Sequence, residues 1–280
     1  LFPYTTLFRS PSFPKADRLR RVLTAMLFAI DVGNTQILMG VYQGDELLFH
    51  WRLSTDRART VDEFGILART LFSLDHLEAG DVERMVISSV VPPLDSVLEK
   101  LGSEYFDVRP LFVTPDLVHD MPVLYEPIVD VGSDRIVNAV AVRELYGRPA
   151  IVVDFGTATT FDVIDAEGAY LGGTISPGIG ISAEALTRCA ARLPRVDIAR
   201  PEEIIGRNTV SSMQAGIFFG YVDLVNGLVR RLVAELGADP VVVATGGWAQ
   251  SISPECPCIQ HVDPLLTLTG LRIIAQRYGE

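Results

Sequence analysis

With 280 residues, 48% of them hydrophobic, the chain has the length for one large or two modest domains and for a sizeable core. A formal net charge of −11 with no basic stripe speaks against a duplex nucleic-acid partner, and no apolar run approaches the roughly 20 residues of a membrane span. Cys189, Cys256 and Cys258 make no disulfide framework or paired C-x-x-C signature and the histidines stand singly, so zinc is set aside and a reducing cytoplasm is the expected compartment.

Residues 1–25 are expected to be a disordered, non-native tail. Its run from Phe2 to Ser10 reads like a translated adapter, and 11–21 is polar and basic. A signal peptide is the competing reading, with Arg18, Arg20 and Arg21 ahead of the apolar 22–30. That run passes straight into Asp31 without a small-residue cleavage site, which favours Met26 as the natural start.

From there Leu27-Phe28-Ala29-Ile30 predicts a buried strand, Asp31-Val32-Gly33-Asn34-Thr35 a turn, and 37–42 a returning strand that ends at Gln43-Gly44-Asp45. A strand over 46–51 follows, and Thr60 with Glu63 has capping-box spacing before a helix over 64–74. Next come a strand over 85–91 ended by Pro92-Pro93, a helix over 94–101 and a short strand at 111–113. The loop 123–131 holds Tyr125, and Gly132-Ser133-Asp134-Arg135 opens a helix that stops at Gly147 and Pro149.

The second half repeats the opening. Ile151-Val152-Val153 runs into Asp154-Phe155-Gly156-Thr157-Ala158-Thr159, returns as a strand through Ile164 and turns at 165–168. A glycine-rich loop is expected over 172–180, then helices over 182–191 and 210–236. A buried strand at 241–244 ends in Thr245-Gly246-Gly247, and a helix over 264–278 closes the chain. Domains are therefore expected at 26–147 and 148–280.

One D-x-G-x-x-T turn also occurs in plain hairpins; the second copy is what gives it weight. A glycine past the strand lets backbone N–H groups approach an anion, threonines add donors, and an aspartate can hold a cation or its waters. Two such hairpins suit two related half-molecules facing one phosphate chain. Lys15 and Lys100 are the only lysines against 22 arginines, and neither sits in a Walker A loop or a kinase strand. Backbone groups, hydroxyls, arginine and metal must then handle any ATP. Between the hairpins, Asp134 is either a helix-start carboxylate, stabilised by roughly 0.3–1 kcal/mol, or the base for an acceptor hydroxyl. Arg135 beside it offers a fork to a carboxylate ligand. Ser88-Ser89 has no activating histidine and reads as a strand-end hydrogen-bonding pair.

The paired hairpins resemble those of the actin, heat-shock-protein and sugar-kinase superfamily. That resemblance implies an α/β fold of two duplicated ribonuclease H-like domains of the actin-like ATPase superfamily, with an interdomain nucleotide cleft. The run from Asp31 to Thr35, Ser88-Ser89-Val90-Val91-Pro92, Gly132 to Arg135 and Asp154 to Thr159 occur in order. Gly172-Gly173-Thr174-Ile175-Ser176-Pro177-Gly178, Gly206-Arg207-Asn208-Thr209 and Thr245-Gly246-Gly247 follow. Together, over Met26 to Glu280, they resemble type III pantothenate kinase, which implies ATP-dependent phosphorylation of pantothenate at the start of coenzyme A synthesis.

The same resemblance implies that Asp31, Val32, Gly33, Asn34, Thr35, Gln36, Ile37 and Leu38 cradle the ATP phosphates with Thr157. Thr245, Gly246 and Gly247 would hold the adenosine, and Asp31 would lie near magnesium, directly or through water. Asp134 would be the general base within the pantothenate site of Tyr125, Gly132, Ser133, Arg135 and Thr209. Asp154 would hold an activating monovalent cation, potassium or ammonium. A homodimer whose pocket the partner completes is implied too. Another small-molecule kinase of the superfamily, or an actin-like nucleotide-switched regulatory protein, are the alternatives; ATP consumption with and without pantothenate separates them.

Overall fold

The computed structural model describes residues 25–279, so the expected tail, apart from residue 25, lies outside the described residues. Strand β1 (Met26–Val32) is buried at every position except Asp31, as befits a central strand covered on both faces. Strands β2 (Gln36–Gln43) and β3 (Glu46–Ser54) return antiparallel to it as a meander. Helix α1 (Val61–Leu74) follows, held by the expected capping box. The Glu63 N–H donates to Thr60 Oγ1 at 3.3 Å and the Thr60 N–H donates to Glu63 Oε2 at 2.8 Å. Such caps contribute about 1 kcal/mol.

Strand β4 (Val82–Ser89) then lies parallel beside β1, and helix α2 (Pro92–Tyr105) leads to the edge strand β5 (Leu111–Phe112). Pro92 and Pro93 begin α2 rather than merely ending the strand before it, because the first helical positions need no N–H donor. Helix α3 (Ser133–Leu145) completes the first half, whose sheet order is β3-β2-β1-β4-β5.

The second half repeats this plan. Strands β6 (Ala150–Phe155), β7 (Ala158–Ile164) and β8 (Tyr170–Pro177) form the meander. Helices α4 (Ile179–Cys189) and α5 (Thr209–Leu236) cross to β9 (Val241–Gly246), which runs parallel to β6. A short α6 (Ala249–Ile252), the edge strand β10 (His261–Val262) and α7 (Leu266–Tyr278) finish the chain. The sheet order β8-β7-β6-β9-β10 matches the first sheet strand for strand.

The expected loop at 172–180 is a correction: its first part is strand β8. Gly173 lies so close to β7 that a Cβ would run into the Phe161 carbonyl, so glycine there serves strand packing. Each half has its own core: Phe28, Phe72 and Phe106 are in mutual ring contact in the first, and Phe155, Phe161 and Phe218 are buried in the second. A third cluster, including Ala29, Val86, Val137, Val152 and Leu271, joins both sheets through α3 and α7. Although last in sequence, α7 lies against α3 and on β1, β2 and β4 of the first sheet.

Candidate active site

The two central strands, β1 and β6, each end in an aspartate followed by a tight turn. The Gly33 N–H donates to the Gln36 carbonyl at 3.0 Å, and the Gly156 N–H to the Ala158 carbonyl at 3.1 Å. These turns meet: Thr35 Oγ1 and Thr157 Oγ1 are 2.6 Å apart. Asn34, Thr35, Gln36 and Thr157 are exposed, whereas Val32, Ile37 and Leu38 are buried and can present only backbone to a ligand. The first turn is braced from its own sheet, since Thr55 Oγ1 donates to the Gly33 carbonyl at 2.6 Å and Arg57 Nη2 to Asn34 Oδ1 at 2.8 Å.

Behind the turns the carboxylates gather. Burial, and then the neighbouring Asp134, pushes the Asp31 carboxyl up to about 8, and Asp31 Oδ1 is buried without a hydrogen-bond partner. Burial, then Asp134 and Asp162, pushes Asp154 up to about 7, against a 3.1 Å hydrogen bond that Asn138 Nδ2 donates to Asp154 Oδ2. Asn138 is itself oriented by Thr267 Oγ1 of α7, which donates to Asn138 Oδ1 at 2.8 Å. Among the described residues no three His, Cys, Asp or Glu converge closely enough to hold a metal unaided. Single carboxylates completed by phosphate oxygens and waters are the donor set that magnesium ordinarily takes in phosphoryl-transfer sites.

Thr245, in register with Asp154 on β9, is buried, and Gly246 beside it has φ 90°, a left-handed conformation that glycine adopts freely. A Cβ on Gly246 would also strike Asp154 Oδ1, so the β9 turn sits directly on the end of β6.

The start of α3 docks on the end of β4. Ser133 Oγ accepts from the Ser89 N–H at 3.0 Å, donates to the Ser89 carbonyl at 3.1 Å and meets Ser88 Oγ at 3.1 Å. Ser89 Oγ in turn donates to Asp95 Oδ1 at 2.6 Å, so the two serines of β4 are strand-end bonding groups, as expected. At Gly132 any Cβ would come within 2.5 Å of Asp134 Oδ1, which explains glycine ahead of that aspartate. Asp134 Oδ1 accepts from the Arg135 N–H at 2.8 Å, and burial raises the Asp134 pKa, with Asp162 adding to the effect.

Asp162 is the main residue that sequence reasoning missed. Fully buried on β7, it accepts from Arg135 Nε at 2.6 Å, from the Tyr170 hydroxyl at 2.8 Å and from Thr160 Oγ1 at 2.9 Å. The rings of Tyr125 and Tyr170 flank the Arg135 guanidinium at 5.9 and 5.8 Å, while Arg135 Nη2 is buried without a partner. Half of the guanidinium is thus anchored, and an unpaired donor remains. The available signal was a single acid inside the apolar run of β7, which a buried strand tolerates only when that acid is paired.

Thr209 is placed apart from this cluster. It heads α5 and lines an open groove of about 900 Å³ between α4 and α5, with Ile179, Leu186, Met213, Ile217 and Tyr221. Ile181, Ile205 and Val210, exposed, directly adjoin lining residues in sequence, and the Tyr221 hydroxyl bonds Thr159 Oγ1 on β7.

A family model described as type III pantothenate kinase matches residues 27–231. A protein of that name from Moorella thermoacetica is 52% identical over 252 residues, covering 90% of this chain and 99% of its own. Another from Geobacter sulfurreducens is 54% identical over 255 residues, covering 91% of this chain and 100% of its own. Among solved structures, a Campylobacter jejuni protein assigned to the Baf family of transcriptional activators matches with a TM-score of 0.58 at 20% identity. It covers 89% of this chain and 97% of its own, and at that identity the likeness speaks to the fold alone. The fold is a duplicated α/β architecture, two five-stranded sheets of the same strand order.

Proposed function

The chain belongs to the type III pantothenate kinase family, and from that premise we propose how its own residues divide the work. The reaction is the ATP-dependent phosphorylation of pantothenate to 4'-phosphopantothenate, which opens coenzyme A biosynthesis. The observation that supports the division is the position of Asp134. Its carboxylate lies at a helix start beside Arg135, acting on both strand-end aspartates, under two hairpins joined by Thr35 and Thr157.

In this reading Asp134 accepts the pantothenate hydroxyl proton. Its Oδ1 is held by the Arg135 N–H, so Oδ2 is the atom assigned to the proton, and the raised pKa makes it a stronger base. Arg135 Nη2, buried and unpaired, is assigned to the pantothenate carboxylate, with Tyr125 over the substrate and Gly132 and Ser133 lining it through backbone. The turn from Asp31 to Leu38 and Thr157 take the phosphates, and Thr245, Gly246 and Gly247 the adenosine. Magnesium belongs at Asp31, directly or through water, and potassium or ammonium at Asp154. Both sites fit a cation, because each carboxyl is buried beside other carboxyls whose repulsion a cation would relieve, and Asp31 Oδ1 has no protein partner. When bound, these ions offset phosphate charge.

The lobes of the cleft are 26–147 and 148–280, with α7 crossing onto the first sheet. The apolar α4/α5 groove is assigned to a homodimer contact in which Thr209 completes the pocket of the other protomer. No described helix is long and apolar enough to cross a membrane, and a cytoplasmic place of action belongs to the same proposal. Phosphoryl transfer from labelled ATP to pantothenate, to a sugar panel and to acetate, with a no-acceptor control, tests the assignment. Product with pantothenate alone is expected; preferential sugar phosphorylation, or acceptor-independent hydrolysis, would overturn it.

A further inference from the structure

We propose that Arg52 is a phosphate-contacting residue of this kinase, supplying the fixed positive charge that a lysine supplies in many other phosphoryl-transfer sites. The proposal rests on the reading that the ATP phosphates lie between the two hairpins.

The charge balance of the cleft calls for such a group. Asp31, Asp134, Asp154 and Asp162 act on one another there, and the Arg135 Nε is already bound to Asp162. A polyphosphate entering this place meets this group of carboxylates. Neither lysine answers: Lys100 is exposed on α2, and Lys15 is outside the described residues.

Register carries Arg52 to the site. Arg52 stands opposite Leu38, and Leu38 opposite Asp31, so the three share one row and one face across β3, β2 and β1. Two strand spacings put the Arg52 backbone roughly 10 Å from that of Asp31, within the joint reach of their side chains. The guanidinium turns toward the opposite lobe. Its Nη1 donates to Gln36 Oε1 at 3.3 Å and lies 3.8 Å from where a Cβ on Gly247 would stand. Arg52 therefore spans the cleft mouth from the first hairpin to the β9 turn. Its charge acts on the terminal aspartates of both sheets.

The bonding of Arg52 is that of a waiting group. Arg135, which is structural on one side, closes on a fully buried carboxylate at 2.6 Å. Arg52 is exposed and holds a neutral amide at 3.3 Å, a contact that a phosphate oxygen readily displaces. During transfer a bond forms between the pantothenate hydroxyl oxygen and the γ-phosphorus. The bond from that phosphorus to the β,γ-bridging oxygen breaks with its electron pair, leaving ADP, and the hydroxyl proton passes to Asp134. Charge grows on the bridging oxygen and spreads over the transferring phosphoryl oxygens, where a fixed guanidinium stabilises the transition state more than the ground state.

The test compares Arg52→Gln, Arg52→Lys and Thr157→Glu in the full chain, with kinetics for both substrates and melting temperature. Arg52→Gln should lower kcat/KM for ATP by about 10²–10³-fold, leaving the pantothenate KM and the melting temperature near wild type. Arg52→Lys should recover part of the loss, since an ammonium restores charge but not the fork. Thr157→Glu puts a carboxylate into the exposed hairpin tip and reports on the phosphate position. If Arg52→Gln stays within about threefold of wild type while Thr157→Glu loses ATP turnover, the Arg52 role is overturned and the hairpin reading stands. If both remain near wild type, the phosphates lie elsewhere and both readings fall. Should Arg52→Gln lower the melting temperature, its kcat/KM for ATP measured well below that temperature decides: a loss of about 10²-fold or more supports the role, and a value within about threefold of wild type overturns it.

Discussion

Thr35 and Thr157 are 122 residues apart in sequence, yet their hydroxyl oxygens lie 2.6 Å from each other. Each occupies the turn between the first two strands of its half, so this bond joins the two copies of the repeat tip to tip across the cleft. Exposed and between neutral hydroxyls, it contributes on the order of 1 kcal/mol; the shared α3/α7 core is the larger tie between the halves. Replacing Thr157 by Val should therefore leave the melting temperature almost unchanged while raising the KM for ATP. Steady-state kinetics check this, and an unaltered ATP KM would place the phosphates away from Thr157.

Asp134→Asn keeps the shape and the acceptor oxygen for the Arg135 N–H but removes the base. A general base contributes about 10²–10⁴-fold, so kcat should fall in that range with ATP affinity retained. Stability should hold or rise, because the substitution takes one charge from a buried acidic cluster. A helix-start carboxylate without a catalytic role predicts the reverse, a stability loss of about 1 kcal/mol or less and normal turnover. Turnover, nucleotide affinity and thermal melting on this one variant separate the two.

Breaking the Arg135–Asp162 pair should be far more damaging to the fold. Asp162→Ala strands a buried guanidinium between Tyr125 and Tyr170, and such one-sided losses cost about 3–5 kcal/mol. Urea unfolding should show a lowered midpoint with little change in slope. Wild-type stability in Asp162→Ala would mean that the pair adds nothing net.

The strand-end aspartates set a pH dependence in the cation-free protein. Burial and neighbouring acids hold Asp31 at about 8 and Asp154 at about 7 in the folded chain, whereas an unfolded Asp titrates near 3.9. Between those limits the unfolded chain has given up protons that the native state keeps, so the contribution of these two groups to stability is greatest below about pH 4 and is lost toward about pH 8. Magnesium and potassium with nucleotide should then raise the melting temperature more at about pH 8 than at about pH 5, and Asp31→Asn should flatten the cation-free profile. Equal cation shifts at both pH values would remove the cations from these carboxylates.

Turnover should require a monovalent cation besides magnesium. Exchanging potassium for sodium or a bulky organic cation is expected to depress kcat, and Asp154→Asn should abolish that salt dependence. Equal rates in all three salts would detach Asp154 from the cation.

Much of this molecule is written in short stretches of sequence. Apolar runs ending in Asp31 and Asp154, the Thr60–Glu63 cap and the long periodic segment of α5 each depend on residues within a few positions of one another, so strands, turns and helices were legible, and the ordered motifs pointed to the family. Gly173 misled, because its role depends on how closely β7 approaches, not on its neighbours in the chain. The partners of Asp162, Arg52 and Asn138 were not legible for the same reason. Arg135 and Asp162 meet from 27 positions apart, Arg52 shares a row with Asp31 only through cross-strand register, and Asn138 is turned toward Asp154 by Thr267, 129 positions away on a helix that crosses back onto the first sheet. By itself, then, the sequence determined the repeat, its aspartate-ended hairpins and the kinase family. Only the tertiary structure decided which buried carboxylate is paired, which keeps an oxygen without a partner and which arginine stays open, because desolvation and partner geometry depend on long-range packing.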